Sequence, residues 1–170
     1  MSAAFDATVR VWNSATAKQE GDPIRLAGKS SNCVAIAPDG TAFATTTGPR
    51  SDDPGWGDPS PGLLQVWMWK TRKQKFVLEG HHYPILGVSF SPDGRTLASA
   101  GGFFADGAEL KLWDTSSGRE RMNLTGHKWW VGCVAFSPDS LSLVSAGGYE
   151  NRGGEVRIWD VRLLAKPSGG

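Results

Sequence analysis

The chain is poor in the residues that most active-site chemistry needs. Its two cysteines, Cys33 and Cys133, are too few for a disulfide framework. No Cys-x-x-Cys or His-x-x-x-His spacing offers a zinc site, so no metal is expected. It contains only three histidines. No apolar run approaches the ~20 residues needed to cross a bilayer. The opening MSAAFDATVRVW lacks the basic start and apolar stretch of a secretory signal, which makes the reducing cytoplasm the expected compartment. Charge of either sign is not in excess: 18 Lys and Arg face 17 Asp and Glu, a net charge of +1. With no basic block, neither a nucleic acid nor a membrane surface is an expected partner. No window of ten or more residues carries a 3.6-residue apolar period, so helices should be nearly absent. No phosphate loop or dinucleotide fingerprint occurs. DGAELKLWD and NRGGEVRIWD read as glycine-containing hairpins with no helix behind them, and no cofactor is expected. What remains is a folded domain of 170 residues with 39% hydrophobic residues and eight tryptophans.

Those residues repeat. VSFSPDGRTLASAGG from Val88 matches VAFSPDSLSLVSAGG from Val134 at an offset of 46 residues, and the same offset carries Gly80-His81 onto Gly126-His127 and ELKLWD onto EVRIWD. A looser copy starts at Val34 with VAIAPDGTAFATTTG and has Gly28-Lys29 where the others have Gly-His. The tryptophans at 12, 67, 113 and 159 mark four units. Within a unit, apolar and small residues alternate at period two, SPDG supplies a tight turn, and further β-compatible runs follow: Thr96 to Ala100, then after a glycine-rich break Glu109 to Trp113, then Arg121 to Leu124. Each unit is thus predicted to be a four-stranded antiparallel meander of about 45 residues. Radial repetition of such sheets buries both faces of each against its neighbours.

The Gly-His, Ser-Pro-Asp-Gly and Trp-Asp landmarks, in that order and spacing, resemble the WD-repeat β-propeller family over all but about the last ten residues. The resemblance implies a hydrogen-bonded structural set in each blade: a His from the entering loop, a Ser or Thr on the second strand, an Asp in the turn before the third strand, and the Trp on that strand. Carried over, these are His81, Ser99, Asp106 and Trp113, with Asp106 one residue further from its Trp than the pattern has it. The next unit offers His127, Ser145 and Trp159, with Asn151 or Glu150 near the Asp position. The preceding one keeps Thr45 and Trp67 but has Lys29 for His and Met68 after the Trp, so its set is expected to be broken. Asp6 and Trp12 open the chain.

The fold class is therefore an all-β partial propeller of about thirteen strands and almost no helix. Residues 1–28 supply the third and outer strands of an incomplete blade, with its first two strands absent. Residues 29–80 form a blade with a long hairpin insertion at 48–62, and residues 81–126 a second full blade. Residues 127–160 form a blade without its outer strand, followed by a tail at 161–170. The ensemble resembles the C-terminal half of a larger propeller, expected to pair with a missing half or with a second copy of itself.

Catalysis has little to draw on. His81 and His127 fall on the structural landmark, His82 reads as a loop residue, and Cys33 and Cys133 occupy equivalent first-strand positions where small residues suffice. The turn aspartates are explained by Asx turns. The expected function is a non-catalytic protein-interaction scaffold. Two alternatives stay open: an architectural half of a split propeller, and an enzyme or small-ligand binder using the central channel. Candidate contact residues on the top rim are Arg50, Trp56, Tyr83, Phe103, Phe104, Trp129, Tyr149 and Arg152, aromatic and Arg types that anchor interfaces. Packing between blades is the competing reading for the aromatic ones. The insertion GPRSDDPGWGDPSPG reads as a shaped loop inside a hairpin rather than a linker.

Overall fold

The computed structural model describes residues 1–4, 6–26, 30–47, 61–103, 107–148 and 153–162. Those residues are all-β, with fourteen strands in four antiparallel sheets. Sheet 1 holds β1 (Ser2–Ala4), β2 (Thr8–Arg10) and β3 (Ile24–Arg25). Sheet 2 holds β4 (Ser31–Ile36), β5 (Ala42–Thr47), β6 (Leu64–Met68) and β7 (Gln74–Leu78). Sheet 3 holds β8 (Ile85–Phe90), β9 (Thr96–Phe103), β10 (Gly107–Asp114) and β11 (Glu120–Asn123). Sheet 4 holds β12 (Val131–Phe136), β13 (Ser142–Gly148) and β14 (Gly154–Asp160). Each is a meander in chain order, with SPDG-type turns joining the first two strands of sheets 2, 3 and 4. In the SPDG-type turns the fourth residue is left-handed, Gly40 at φ 67°, Gly94 at 71° and Ser140 at 63°.

The sheets stack side by side, and the period-two alternation of each strand feeds a separate apolar layer on either side. Val9, Ile24 and Leu26 of the first unit meet Phe43 and Trp67 of sheet 2. Ala44, Leu64 and Val66 meet Ile85, Phe90, Leu97 and Trp113 of sheet 3. Ala98, Ala100, Leu110 and Leu112 meet Val131, Val134 and Leu143 of sheet 4. Thus Leu97 and Ser99 face one neighbour while Ala98 and Ala100 face the other.

The innermost strands converge. β4, β8 and β12 each carry a register shift at the same place, between Ser31 and Cys33, Ile85 and Gly87, and Val131 and Cys133. A Cβ on Gly87 would lie 3.1 Å from the Gly132 carbonyl oxygen and 3.3 Å from the Cys133 Cα. That crowding accounts for the small residues Cys33, Gly87 and Cys133 at equivalent positions.

Two features differ from the sequence reading. β1 is a second-strand partner of β2, pairing Ser2 with Arg10, Ala3 with Val9 and Ala4 with Thr8. The first sheet therefore has three strands where two were expected. Ser-Ala-Ala is short and has no β-branched or aromatic residue, so it carries no strand signal of its own. The glycine-rich break after Ala100 is also not a break, because β9 continues through Gly101 and Gly102 to Phe103. A Cβ on Gly101 would sit 2.1 Å from the Pro84 carbonyl oxygen, and one on Gly102 3.0 Å from the Trp130 Cα. These glycines are sites of close backbone approach inside a strand.

Candidate functional site

Sheet 3 encloses a chain of hydrogen bonds linking its outer and inner parts. The Trp113 indole donates to Ser99 Oγ at 2.8 Å, and Ser99 Oγ lies 2.6 Å from His81 Nε2. His81 Nδ1 is 3.0 Å from Glu109 Oε2. A carboxylate only accepts, so Nδ1 carries the proton and Nε2 accepts from the serine hydroxyl, which satisfies every atom with a neutral imidazole. Glu109 also accepts from the His82 backbone N–H at 3.0 Å, His82 Nδ1 at 2.8 Å and the Tyr83 backbone N–H at 3.2 Å. One carboxylate thereby fastens the loop entering the sheet to strand β10. Burial alone would raise the Glu109 carboxyl, but the hydrogen bonds from His81 and His82 outweigh it and hold the group at about 2.

Sheet 4 repeats the arrangement at the offset of the sequence repeat. Trp159 donates to Ser145 Oγ at 2.7 Å, which lies 2.6 Å from His127 Nε2, and His127 Nδ1 is 3.1 Å from Glu155 Oε2. Burial pushes the His127 imidazole below its ordinary value, against the pull of Glu155. In both sets a glutamate inside the third strand meets the imidazole; Asp106, Glu150 and Asn151, the positions expected to supply an acid from the preceding turn, lie outside the described residues. Glu109 and Glu155 both stand four residues before their Trp, in ELKLWD and EVRIWD, and that recurrence was the available signal.

In sheet 1 the Trp12 indole donates to Ser2 Oγ at 2.9 Å, so Ser2 on β1 occupies the place of Ser99 and Ser145. Asp6 instead holds its own turn, accepting from the Thr8 backbone N–H at 3.1 Å and from Arg10 Nη2 at 2.6 Å. In sheet 2 the set is broken: Thr45 Oγ1 and Trp67 Nε1 are buried without a hydrogen-bond partner among the described residues. Trp67 stacks on Phe43, with centroids 6.3 Å apart. The same position should thus respond with opposite sign in neighbouring sheets. Thr45→Val removes an orphaned hydroxyl at constant shape and is expected to be neutral or to stabilise by up to about 1 kcal/mol, whereas Ser99→Ala is expected to cost about 2 kcal/mol. Urea midpoints of the two variants check this, and equal losses would refute it.

Ser, His and Glu in hydrogen-bonded sequence have the connectivity of a hydrolase triad, present here twice. The hydroxyls of Ser99 and Ser145 are fully buried, each accepts an indole N–H, and the His81 ring is buried with them. No substrate carbonyl can approach such an oxygen, so the arrangement couples strands. Among the described residues no group of three or more His, Cys, Asp or Glu is placed to hold a metal ion.

Above the Glu109 clamp lies the described part of the rim. Tyr83 stacks on Phe103, with centroids 6.3 Å apart and planes 9° from parallel, and both rings are half-buried. Gly107 sits beneath Tyr83, where a Cβ would come within 2.9 Å of Cε2. Trp129 is half-buried at the corresponding loop of sheet 4, while Trp130 packs its backbone against Gly102 between sheets 3 and 4. Arg50, Trp56, Phe104, Tyr149 and Arg152 lie outside the described residues, as does most of the insertion 48–62.

Comparison with known proteins agrees with this architecture. The family model for the WD domain, G-beta repeat, matches residues 72–114 and 118–160. The chain is also similar to the WD repeat-containing protein SL1-17 of Schistosoma mansoni, 38% identical over 92 residues, which is 54% of this chain and 26% of that relative. The matched region thus spans about a quarter of the relative's length. With two family repeats covering half of its residues, and Ser–His–Trp links bonded inside both, the chain belongs to the WD-repeat family.

Proposed function

We propose that the chain is a non-catalytic scaffold that binds a protein partner through its top rim. The observation that carries this reading is the Tyr83–Phe103 stack. Its loop is fixed from below by Glu109, which accepts the Tyr83 backbone N–H at 3.2 Å. A half-exposed aromatic pair on an ordered support offers contact area with little conformational entropy left to lose, the property that makes aromatic anchors effective at interfaces. WD-repeat domains generally mediate protein interactions, and the sealed serines of both hydrogen-bonded sets favour a structural role for the residues that otherwise resemble catalytic ones. The insertion 48–62, rich in Pro and Gly and carrying Trp56, is a second candidate contact by its composition.

The test compares proteins retained by the immobilised full chain, by Tyr83→Ala, and by a variant with Gly48 to Gly62 replaced by Asn-Gly. A shared set of partners reduced by about tenfold or more in both variants, with unchanged circular dichroism, is expected. The same partners retained at wild-type level by both variants would return these residues to a packing role.

A further inference from the structure

Sheet 2 departs from its own repeat at the turn that joins β6 to β7. In sheet 3 the matching hairpin is neutralised from within: Asp114 accepts from Arg121 Nε at 3.1 Å, and Glu120 pairs with Lys111 Nζ at 2.9 Å. Shifted back by the repeat offset, Asp114 becomes Met68 and Glu120 becomes Gln74, while the turn residues Ser116 and Gly118 become Lys70 and Arg72. The hairpin of sheet 2 has therefore lost both carboxylates of its counterpart and gained two cations. The run KTRKQK at 70–75 is exposed throughout, and no ion pair among the described residues uses its Lys70, Arg72, Lys73 or Lys75. Two turn cations of sheet 3 adjoin it, because Lys75 Nζ donates to the Thr115 carbonyl at 3.2 Å and the Thr115 N–H donates to that of Arg95, with Arg119 exposed on the same turn as Thr115. The acids nearby are committed to their own turns: Asp39 accepts from Thr41, and Asp93 from Ser91 and from the Arg95 N–H. In a chain of net charge +1, positive charge is thus gathered at one end of two neighbouring sheets.

This surface is held in shape. Arg72 sits at φ 53°, in the left-handed region that its counterpart Gly118 enters without strain. Its guanidinium donates to the Asp22 carbonyl at 2.7 Å and to that of Glu20 at 3.4 Å, which ties the turn to the first unit as Lys75 ties it to sheet 3. The run leads straight into β7, the last strand of sheet 2, and among the described residues no strand pairs with its outer edge. An open edge offers backbone donors and acceptors to an added strand, and lysines along it repel a second copy of the same edge while attracting an acidic segment. The outer strand of sheet 3, β11, also has an open edge, but its Glu120 and Arg121 are already paired. We infer that the β7 edge is a docking site for an extended acidic segment of a partner protein, which adds to the sheet as a fifth strand with its carboxylates against Lys70, Lys73 and Lys75. The site lies at the opposite ends of the strands from Tyr83 and Phe103, so it and the rim reading can fail separately.

Fluorescence anisotropy of the full chain with a dye-labelled peptide of about ten residues, alternating Glu and Val, tests this. Saturable binding is expected, weakened at least about tenfold in the double variant Lys70→Glu/Lys73→Glu and on raising salt from about 50 to about 500 mM. Met68→Asp returns the carboxylate of the repeat without removing a cation, and it should weaken binding several-fold. Circular dichroism checks that each variant is folded. Backbone N-methylation at alternate peptide residues keeps the charge and blocks strand pairing, so it should also cost about tenfold or more in affinity. Absence of saturable binding to the wild type would overturn the inference, as would wild-type affinity in either variant. So would undiminished binding of the N-methylated peptide, which would leave a charged patch without strand addition. Tighter binding of oligothymidylate or of phosphatidylserine vesicles than of the peptide would overturn it in favour of a nucleic acid or a membrane.

Discussion

Replacing Trp113 with alanine is expected to lower the unfolding free energy by about 3–5 kcal/mol, a large share of what a domain of this size has to spend. Trp113 is 2% exposed and fills the layer between sheets 2 and 3 with Leu64, Val66, Leu78 and Leu97. Its removal leaves a cavity between two rigid sheets that cannot collapse around it. It also strips Ser99 Oγ of its indole donor, at the start of the chain that runs through His81 to Glu109. Trp113→Phe separates the two contributions. The ring keeps most of the volume while the donor is lost, so about 1–2 kcal/mol is expected. Urea denaturation measures both; an alanine variant that loses less than about 1 kcal/mol would show that the layer repacks.

The second large effect is expected at Glu109. Glu109→Ala leaves the buried His81 Nδ1–H and two backbone N–H groups of the entering loop without their acceptor, a loss of about 2–4 kcal/mol. Glu109→Gln retains one acceptor oxygen and should cost about half as much. The pH dependence has a definite sign. The native carboxyl is held at about 2 against an ordinary value of 4.5. The charged form is therefore the one the fold prefers, and its contribution is complete above pH 4.5 and lost as pH falls through about 2. His127, depressed below its ordinary 6.5 by burial, also favours the native state at higher pH and gives up its contribution as pH falls below that value. Wild type and Glu109→Gln should thus decline together at first, and then the wild type should decline more steeply between pH 4.5 and 2. Parallel curves over that interval would mean that the carboxylate is not held by these hydrogen bonds.

How much of this was legible in the residues depended on whether a feature was repeated. The four meanders, the two Ser–His–Trp links and the broken set around Thr45 and Trp67 follow from landmarks that recur in register. β1 does not recur in sequence: Ser2-Ala3-Ala4 lacks the bulky residues that announce a strand, and only its pairing with Thr8–Arg10 reveals it. Glu109 and Glu155 recur four residues before their Trp, a signal separate from the turn positions Asp106, Glu150 and Asn151, which fall outside the described structure. Gly101 and Gly102 read as a break because close backbone approach from Pro84 and Trp130 is a tertiary cause with no local signature. The aromatic rim was identified as a set of residue types, and only Tyr83, Phe103 and Trp129 of it fall within the described structure.

The side-by-side stacking of the sheets also sets how the chain comes apart. Among the described residues each apolar layer joins one sheet to the next, so stability is distributed along the row as in a one-dimensional array. Among the described residues sheet 3 alone combines cover on both faces, four strands and an intact hydrogen-bonded set. Sheet 2 has the strands without the bonds, and in its inner strand Ile36 is 53% exposed. Local opening therefore has a direction: amide protection should be greatest in β9 and β10 and should decay outward, with sheet 1 the first to fray.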